Sequence, residues 1–434
     1  MAPRQSEVIA ITGIGLITPA GHGLNASRKL WREGANFLKT IQRFPSEGGR
    51  VSAGFPMSSF SMERIPDRKA AKILNDKDLS AIVTMMDAVV DSGIDRSQIN
   101  PDRLSLYCAA GNTQLSDLSP YFSPVKECVD QLAGMFDSRI FGQRLLDLVN
   151  PMVVMRTLLN NSLCFGSRFL DARGSNSNYF DFEASGVRAM YEAIHALKEG
   201  RTDFSVVTSV SPLLEPFFLN ELAEDGVCAD SHSISKSRPY DPNSSGIVPG
   251  ESAVSLTLER LSDAVNRSAK VIAVIDGIAI GSEARFPWQS KGEATTLRQC
   301  LTELIHDLPI SSREVGLVVG SGSGHSWSDM AEVEAIAAAC DAFTQATFLT
   351  SVKGITGECF ESSFMLSTVA AIDMLDANQI FPMWGRDPDA ESFKKLKFPI
   401  QVSNLDCSNA LISGFSRYGM VGGMHITKPS DLKS

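Results

Sequence analysis

Six short apolar runs set the terms on which this chain can fold. Residues 8–17 (VIAITGIGLI), 104–110 (LSLYCAA), 204–210 (FSVVTSV), 252–258 (SAVSLTL), 271–280 (VIAVIDGIAI) and 315–320 (VGLVVG) are largely apolar, and the first is rich in β-branched residues. Runs of this length read as buried strands. Helical patterns lie between them. In 183–199, Val187, Met190, Ile194 and Leu197 fall on one face, and Gly200 supplies the stop. Strands alternating with amphipathic helices make an α/β protein. The plan also occurs twice. Segment 177–200 runs strand, turn, helix. Segment 347–379 repeats it: the strand TFLTSV, a turn at 353–357, then a helix through Met365, Val369, Ile372 and Leu375 that stops at Asn378. Likewise 106–112 and 317–324 both end apolar strands in glycine turns. This duplication predicts two like halves packed as one body.

Composition narrows the function classes. The chain has 434 residues and a net charge of −10, which argues against non-specific nucleic-acid binding. Its eight cysteines are scattered, with no C-x-x-C pair, so no zinc site or secreted disulfide framework is signalled. No apolar stretch approaches the length of a membrane span. The start, MAPRQSEVIAITG, lacks an apolar signal core. A cytoplasmic protein without a metal or cofactor is the expectation.

Two glycine motifs invite a nucleotide reading, and both fail. The third glycine after Gly13-Ile14-Gly15 would fall at Thr18, so a structural tight turn fits better. The run Gly320-Ser321-Gly322-Ser323-Gly324 lacks the lysine of a phosphate loop.

Five segments in order resemble the β-ketoacyl-acyl-carrier-protein synthases, the condensing enzymes of fatty-acid and polyketide synthesis. VIAITGIGLITPAG (8–21) resembles their opening strand and loop. GSNSNYFDFEASGVRAMYEAIHALKEG (174–200) is similar to the nucleophile segment and its helix, and SRPYDPNSSGIVPGESAV (237–254) to the R-P-F-D block. SVKGITGE (351–358) echoes the lysine and G-H segment, and SGFSRYGMVGG (413–423) the glycine-rich C-terminal loop. The resemblance implies a thiolase fold: duplicated βαβαβαββ halves in a five-layered α/β/α/β/α body, here 1–260 and 261–434, forming a dimer.

The site residues depart from that family. Its chemistry needs a thiolate at a helix N-terminus and imidazoles that bind a carbonyl oxygen. Here the nucleophile position is Glu183. The histidine positions fall on Ser321 and Glu358, and Lys353 alone is retained. Arg417 stands at the phenylalanine of the loop that gates the acyl pocket in active relatives. Glu183, Lys353, Phe415, Arg417 and His325 are the candidate pocket-lining residues, and no catalytic set is intact. Three readings of Glu183 stay open: an anion filling the empty thiol site, a mimic of a substrate carboxylate that promotes malonyl decarboxylation, or a general base. Cys359 reads as packing rather than as a displaced nucleophile. His325, in a Gly/Ser-rich loop with an exposed look, is a weaker acid/base candidate. Arg417 can pair with Glu183 or Glu358 if they meet across the pocket.

Loss of the nucleophile and both histidines resembles the chain-length factor of type II polyketide synthases. The implied role is non-condensing. Such a chain pairs with an active ketosynthase, works with an acyl carrier protein and shapes the acyl tunnel from residues near 112–135. The alternatives are a divergent acyltransferase or malonyl decarboxylase using Glu183, and a homodimeric protein that binds acyl groups or the carrier.

Overall fold

A computed structural model describes residues 7–42, 50–111, 125–129, 134–148, 152–211, 214–230, 232–283, 293–308, 314–341, 343–384 and 396–429. The first half supplies β1 (Ile9–Thr18), α1 (Asp76–Asp91), β2 (Leu104–Ala109), β3 (Asn176–Tyr179), α2 (Ser185–Lys198), β4 (Phe204–Ser211) and β5 (Ser252–Arg260). The second supplies β6 (Ala273–Ser282), α3 (Thr295–Asp307), β7 (Leu317–Val319), α4 (Ser326–Ala339), β8 (Thr347–Thr350), α5 (Ser363–Ala377), β9 (Asn409–Phe415) and β10 (Met420–Thr427). Between β8 and β9 a short strand, Leu396–Lys397, extends the sheet.

These strands hydrogen-bond in the order β8-β7-β9-β10-β6-β1-β5-β4-β2-β3. Each half reads third-second-fourth-fifth-first, with the last two joins antiparallel to their neighbours and the outer three strands parallel. The halves meet where β1 pairs antiparallel with β6, Ile9 opposite Ile275 and Ile11 opposite Ala273. The duplication expected from the sequence is therefore present strand for strand, and the architecture is the thiolase fold. α2 and α5 pack between the half-sheets, α1 covers β1, β4 and β5 from outside, and α3 with α4 covers the second half. Val187, Met190, Ile194 and Leu197 of α2 and Met365, Val369, Ile372 and Leu375 of α5 are all in the central core, and Ala189, Ala193, Ala196, Leu366, Ala370 and Met374 bury further faces of the same helices, as a helix between two sheets requires.

One sequence reading is corrected. Gly13 and Gly15 are not in a tight turn; they lie inside β1. A Cβ on Gly13 would stand 2.1 Å from Ala88 O, and one on Gly15 2.0 Å from Thr84 O. The glycines let the backbone of α1 sit directly on the strand. Of the stretch 112–135 expected to line a tunnel, 112–124 and 130–133 lie outside the described residues.

A single carboxylate fastens the helix Leu24–Trp31 to α5. Asp373, with a fully buried side chain, accepts from Arg28 Nε (2.8 Å), Trp31 Nε1 (2.9 Å), Arg32 Nε (2.8 Å) and Arg32 Nη2 (2.7 Å). Asp373→Ala leaves those donors without their acceptor and should lower stability by about 3–5 kcal/mol in urea unfolding.

Candidate functional site

Each central helix is entered through a sharp elbow. After β3 the chain turns through a 3-10 segment, Phe182–Ala184; before α5 it does the same through Phe360–Ser362. Phe182 has φ 50° and Phe360 φ 36°, a left-handed backbone that a bulky residue adopts only where its surroundings impose it. A serine staples each elbow. Ser185 Oγ accepts from Asp181 N at 2.8 Å, and Ser363 Oγ accepts from Cys359 N at 3.1 Å. The residue after each strained phenylalanine is a buried glutamate, Glu183 in one half and Glu361 in the other. Aligning DFEAS with CFESS exposes this repeat, a signal that reading each segment separately misses.

Glu183 is clamped by the β9–β10 hairpin. Ser416 Oγ donates to its Oε2 at 2.8 Å, and Arg417 Nη1 stands 3.3 Å from Oε1. Arg417 and Glu183 therefore do meet, with side chains 9% and 7% exposed. Aromatic rings enclose the guanidinium: its carbon lies 5.2 Å from the Phe360 ring centre and 4.9 Å from that of Tyr418, which stacks on Phe182 at 3.9 Å. Burial pushes the Glu183 carboxyl above its ordinary value, and the Arg417 charge works against that push. For Arg417, burial disfavours the charge, and Glu183, Tyr418 and Glu358 together outweigh it and hold the guanidinium protonated.

Lys353 and Glu358 form a second buried pair, with Nζ 2.7 Å from Oε2. The other oxygen of Glu358 accepts from Phe360 N at 2.8 Å and Ser363 Oγ at 2.7 Å. Glu358 thus braces the second elbow, and Lys353 stays charged because Glu358, by field and hydrogen bond, together with Glu183 and Glu332 more than offsets its desolvation.

The other candidates take supporting places. Ser321 Oγ donates to Ser413 O (3.2 Å) and accepts from Phe415 N (3.1 Å), so it stitches its loop to β9. Phe415 is buried in the apolar cluster of the second half, and its backbone N–H donates to Ser321 Oγ. His325, expected to look exposed, is half-buried, with Nδ1 2.9 Å from Ser328 Oγ. Burial and the Arg417 charge lower its pKa to about 4, so at neutral pH it carries no proton to donate as an imidazolium. Cys359 is buried against the carbonyls of Thr356 and Gly357, and burial pushes its thiol up to about 12. It is not an activated nucleophile.

The sequence reading used Asp329 and Glu332 only to align the histidine position at Ser321; their pairing with Tyr240 escaped it. Its hydroxyl donates to Glu332 Oε2 at 2.9 Å and accepts from Gly322 N at 3.0 Å, and its own N–H donates to Asp329 Oδ2 at 2.9 Å. A Cβ on Gly320 or Gly322 would meet Tyr240 at 2.0 or 2.5 Å. The GSGSG run is therefore a cradle for this ring. Burial raises Asp329 to about 6 and Glu332 to about 7.

The comparisons agree with this architecture. Residues 6–264 match the Beta-ketoacyl synthase, N-terminal domain, and residues 272–386 its C-terminal domain. The chain belongs to the β-ketoacyl synthase family. It is 21% identical over 394 residues to a 3-oxoacyl-[acyl-carrier-protein] synthase 2 of Synechocystis, covering 90% of this chain and 91% of the relative. Among solved structures it superposes on the ishigamide ketosynthase/chain length factor with TM-score 0.79 at 18% identity, covering 98% of this chain and 100% of the other. The same TM-score, identity and coverages hold for AntDE:AntF, a type II polyketide-synthase acyl-carrier protein in complex with its ketosynthase bound to the hexaketide. Among the described residues no helix is long and apolar enough to cross a membrane.

The clamp makes a definite energetic prediction. Glu183→Leu and Arg417→Met should each cost about 3–5 kcal/mol, since each strands a buried charge. The double variant should recover most of that loss in a urea-unfolding cycle, with a coupling of at least about 2 kcal/mol.

Proposed function

We propose that this chain is a non-condensing subunit, a chain-length factor, that pairs with an active ketosynthase in type II polyketide or fatty-acid-like synthesis and shapes the acyl tunnel. In this reading 1–260 and 261–434 are the two ketosynthase-like halves. The observation that carries it is Glu183. At the head of α2, where the family places its thiol, stands a carboxylate already bound to Ser416 and Arg417. A carboxylate so held cannot carry a thioester, and the donors around it are engaged rather than aimed at a developing oxyanion. That weighs against the decarboxylase and general-base readings.

Partner surfaces support the same proposal. β3 ends the sheet, so its outer edge is unpaired among the described strands. Beside it, Leu158, Leu159 and Phe180 are exposed, and Asn178 Nδ2 ties Leu159 O to the strand at 3.2 Å. Apolar groups next to an open edge suit a second ketosynthase-fold subunit. For an acidic carrier protein, Arg64, Arg68, Lys69 and Lys72 gather on one exposed segment, with Arg156 Nη2 on Lys72 O and Arg168 beside Asp67. On a chain of net charge −10 this cluster is a local attractor for acidic partners.

Co-expression with an intact ketosynthase tests the proposal. The two chains should copurify in equal amounts, and this chain alone should give no condensation product. Glu183→Cys should remain inactive, because Ser321 and Glu358 still stand where imidazoles are needed. A stable homodimer that ignores the ketosynthase, or condensation by that single variant, overturns the reading.

A further inference from the structure

The surroundings of Arg417 have the form of a receptor for a cation. One carboxylate and two rings hold the guanidinium. Nη1 stands 3.3 Å from Glu183 Oε1, and Nη2 donates to the Tyr418 hydroxyl at 3.3 Å. The guanidinium carbon lies 5.2 Å from the Phe360 ring centre and 4.9 Å from that of Tyr418, both within cation–π range. Each ring is backed by another. Tyr418 stacks on Phe182 at 3.9 Å with 21° between the planes, and Phe360 meets Phe218 edge-on at 5.3 Å. Ser416 Oγ donates to the second oxygen of Glu183, which fixes the direction of the carboxylate.

The receptor is assembled from three separate parts of the chain: Glu183 from the first elbow, Phe360 from the second, and Tyr418 from the turn between β9 and β10. Arg417 is its occupant. It hangs from a tight turn in which Ser416 N donates to Met420 O at 2.9 Å, Gly419 N donates to Ser416 O at 3.0 Å, and Gly419 takes φ 104°, a value suited to glycine. A group tethered so closely is present at its seat at an effective concentration of about millimolar or more, which keeps free cations out. A guanidinium meets such a seat with its charge, its flat face and its N–H donors together. An uncharged acyl thioester would leave the buried Glu183 without a counter-ion.

We infer that the space at the head of α2 is a guanidinium-binding site, walled by Glu183, Phe360 and Tyr418, in which Arg417 is the built-in ligand. The site selects a cation of guanidinium shape, and it is closed to other molecules while the hairpin keeps its place. Recognition of this kind goes beyond pairing with a ketosynthase and does not depend on it.

Emptying the seat is the test. Arg417→Ala in the full chain leaves the receptor without its ligand. The probes are N-ethylguanidinium, which copies the end of an arginine side chain, and N-ethylurea, an uncharged molecule of the same shape. In calorimetric melting at about 20 mM probe, N-ethylguanidinium chloride should raise the Tm of Arg417→Ala by about 2 °C over equal sodium chloride, and N-ethylurea should not. The wild type, whose seat is filled, should not respond. Nor should Arg417→Ala combined with Glu183→Gln, whose seat has lost its charge. No rise in Arg417→Ala, or an equal rise with N-ethylurea or in either of the other two proteins, overturns the site. If Arg417→Ala does not fold alone, refolding is read instead. Recovery of folded protein with N-ethylguanidinium but not N-ethylurea supports the site, and equal recovery or none with either probe overturns it. Copurification reads pairing separately, so a chain that pairs but shows no rescue refutes the guanidinium site alone.

Discussion

A carboxylate buried at the head of a central helix has to be matched by charge, and Arg417 with Ser416 supplies the match for Glu183. The helix dipole alone contributes less than about 1 kcal/mol, far short of what burying a carboxylate costs. The guanidinium must come with it, and so must the rings that enclose the guanidinium. From that requirement follow the stack of Tyr418 on Phe182, the position of Phe360 over Arg417, and the seating of the β9–β10 hairpin on the first elbow. One buried carboxylate thereby commits a set of dependent residues to its support.

Duplication explains why the clamp sits between the halves. The two elbows are copies, each with a strained phenylalanine, a stapling serine and a buried glutamate. They touch one another, and each reaches the other half for support. Glu183 from the first half is held by Ser416 and Arg417 from the second. Glu361 from the second half lies within the field of Lys77 from the first. The buried charges thereby join the two half-sheets around α2 and α5.

Much of this was legible in the sequence because it rests on local pattern. Apolar runs and helical periodicity located β1, β2, β4, β5, β6 and β7, and the order of motifs singled out Glu183, Lys353 and Glu358, which the structure places in two buried ion pairs. The possible pairing of Arg417 with Glu183 followed from placing both at family positions around one pocket. Features that depend on distant packing were not legible. Gly13 and Gly15 read as a turn because the approach of α1 is invisible in β1 itself. Tyr240 gives no sign of Glu332, ninety-two positions away, and only the pair together explains the glycines at 320 and 322.

The central claim is that Glu183 fills the nucleophile position without replacing the nucleophile's chemistry. Incubating the purified chain with malonyl- and acyl-loaded carrier protein, and following both proteins by intact mass, tests it most directly. The account predicts no acyl adduct on the chain and no loss of carbon dioxide from the malonyl carrier above background. A stable acyl mass on Glu183, or decarboxylation that disappears in Glu183→Gln, would contradict it.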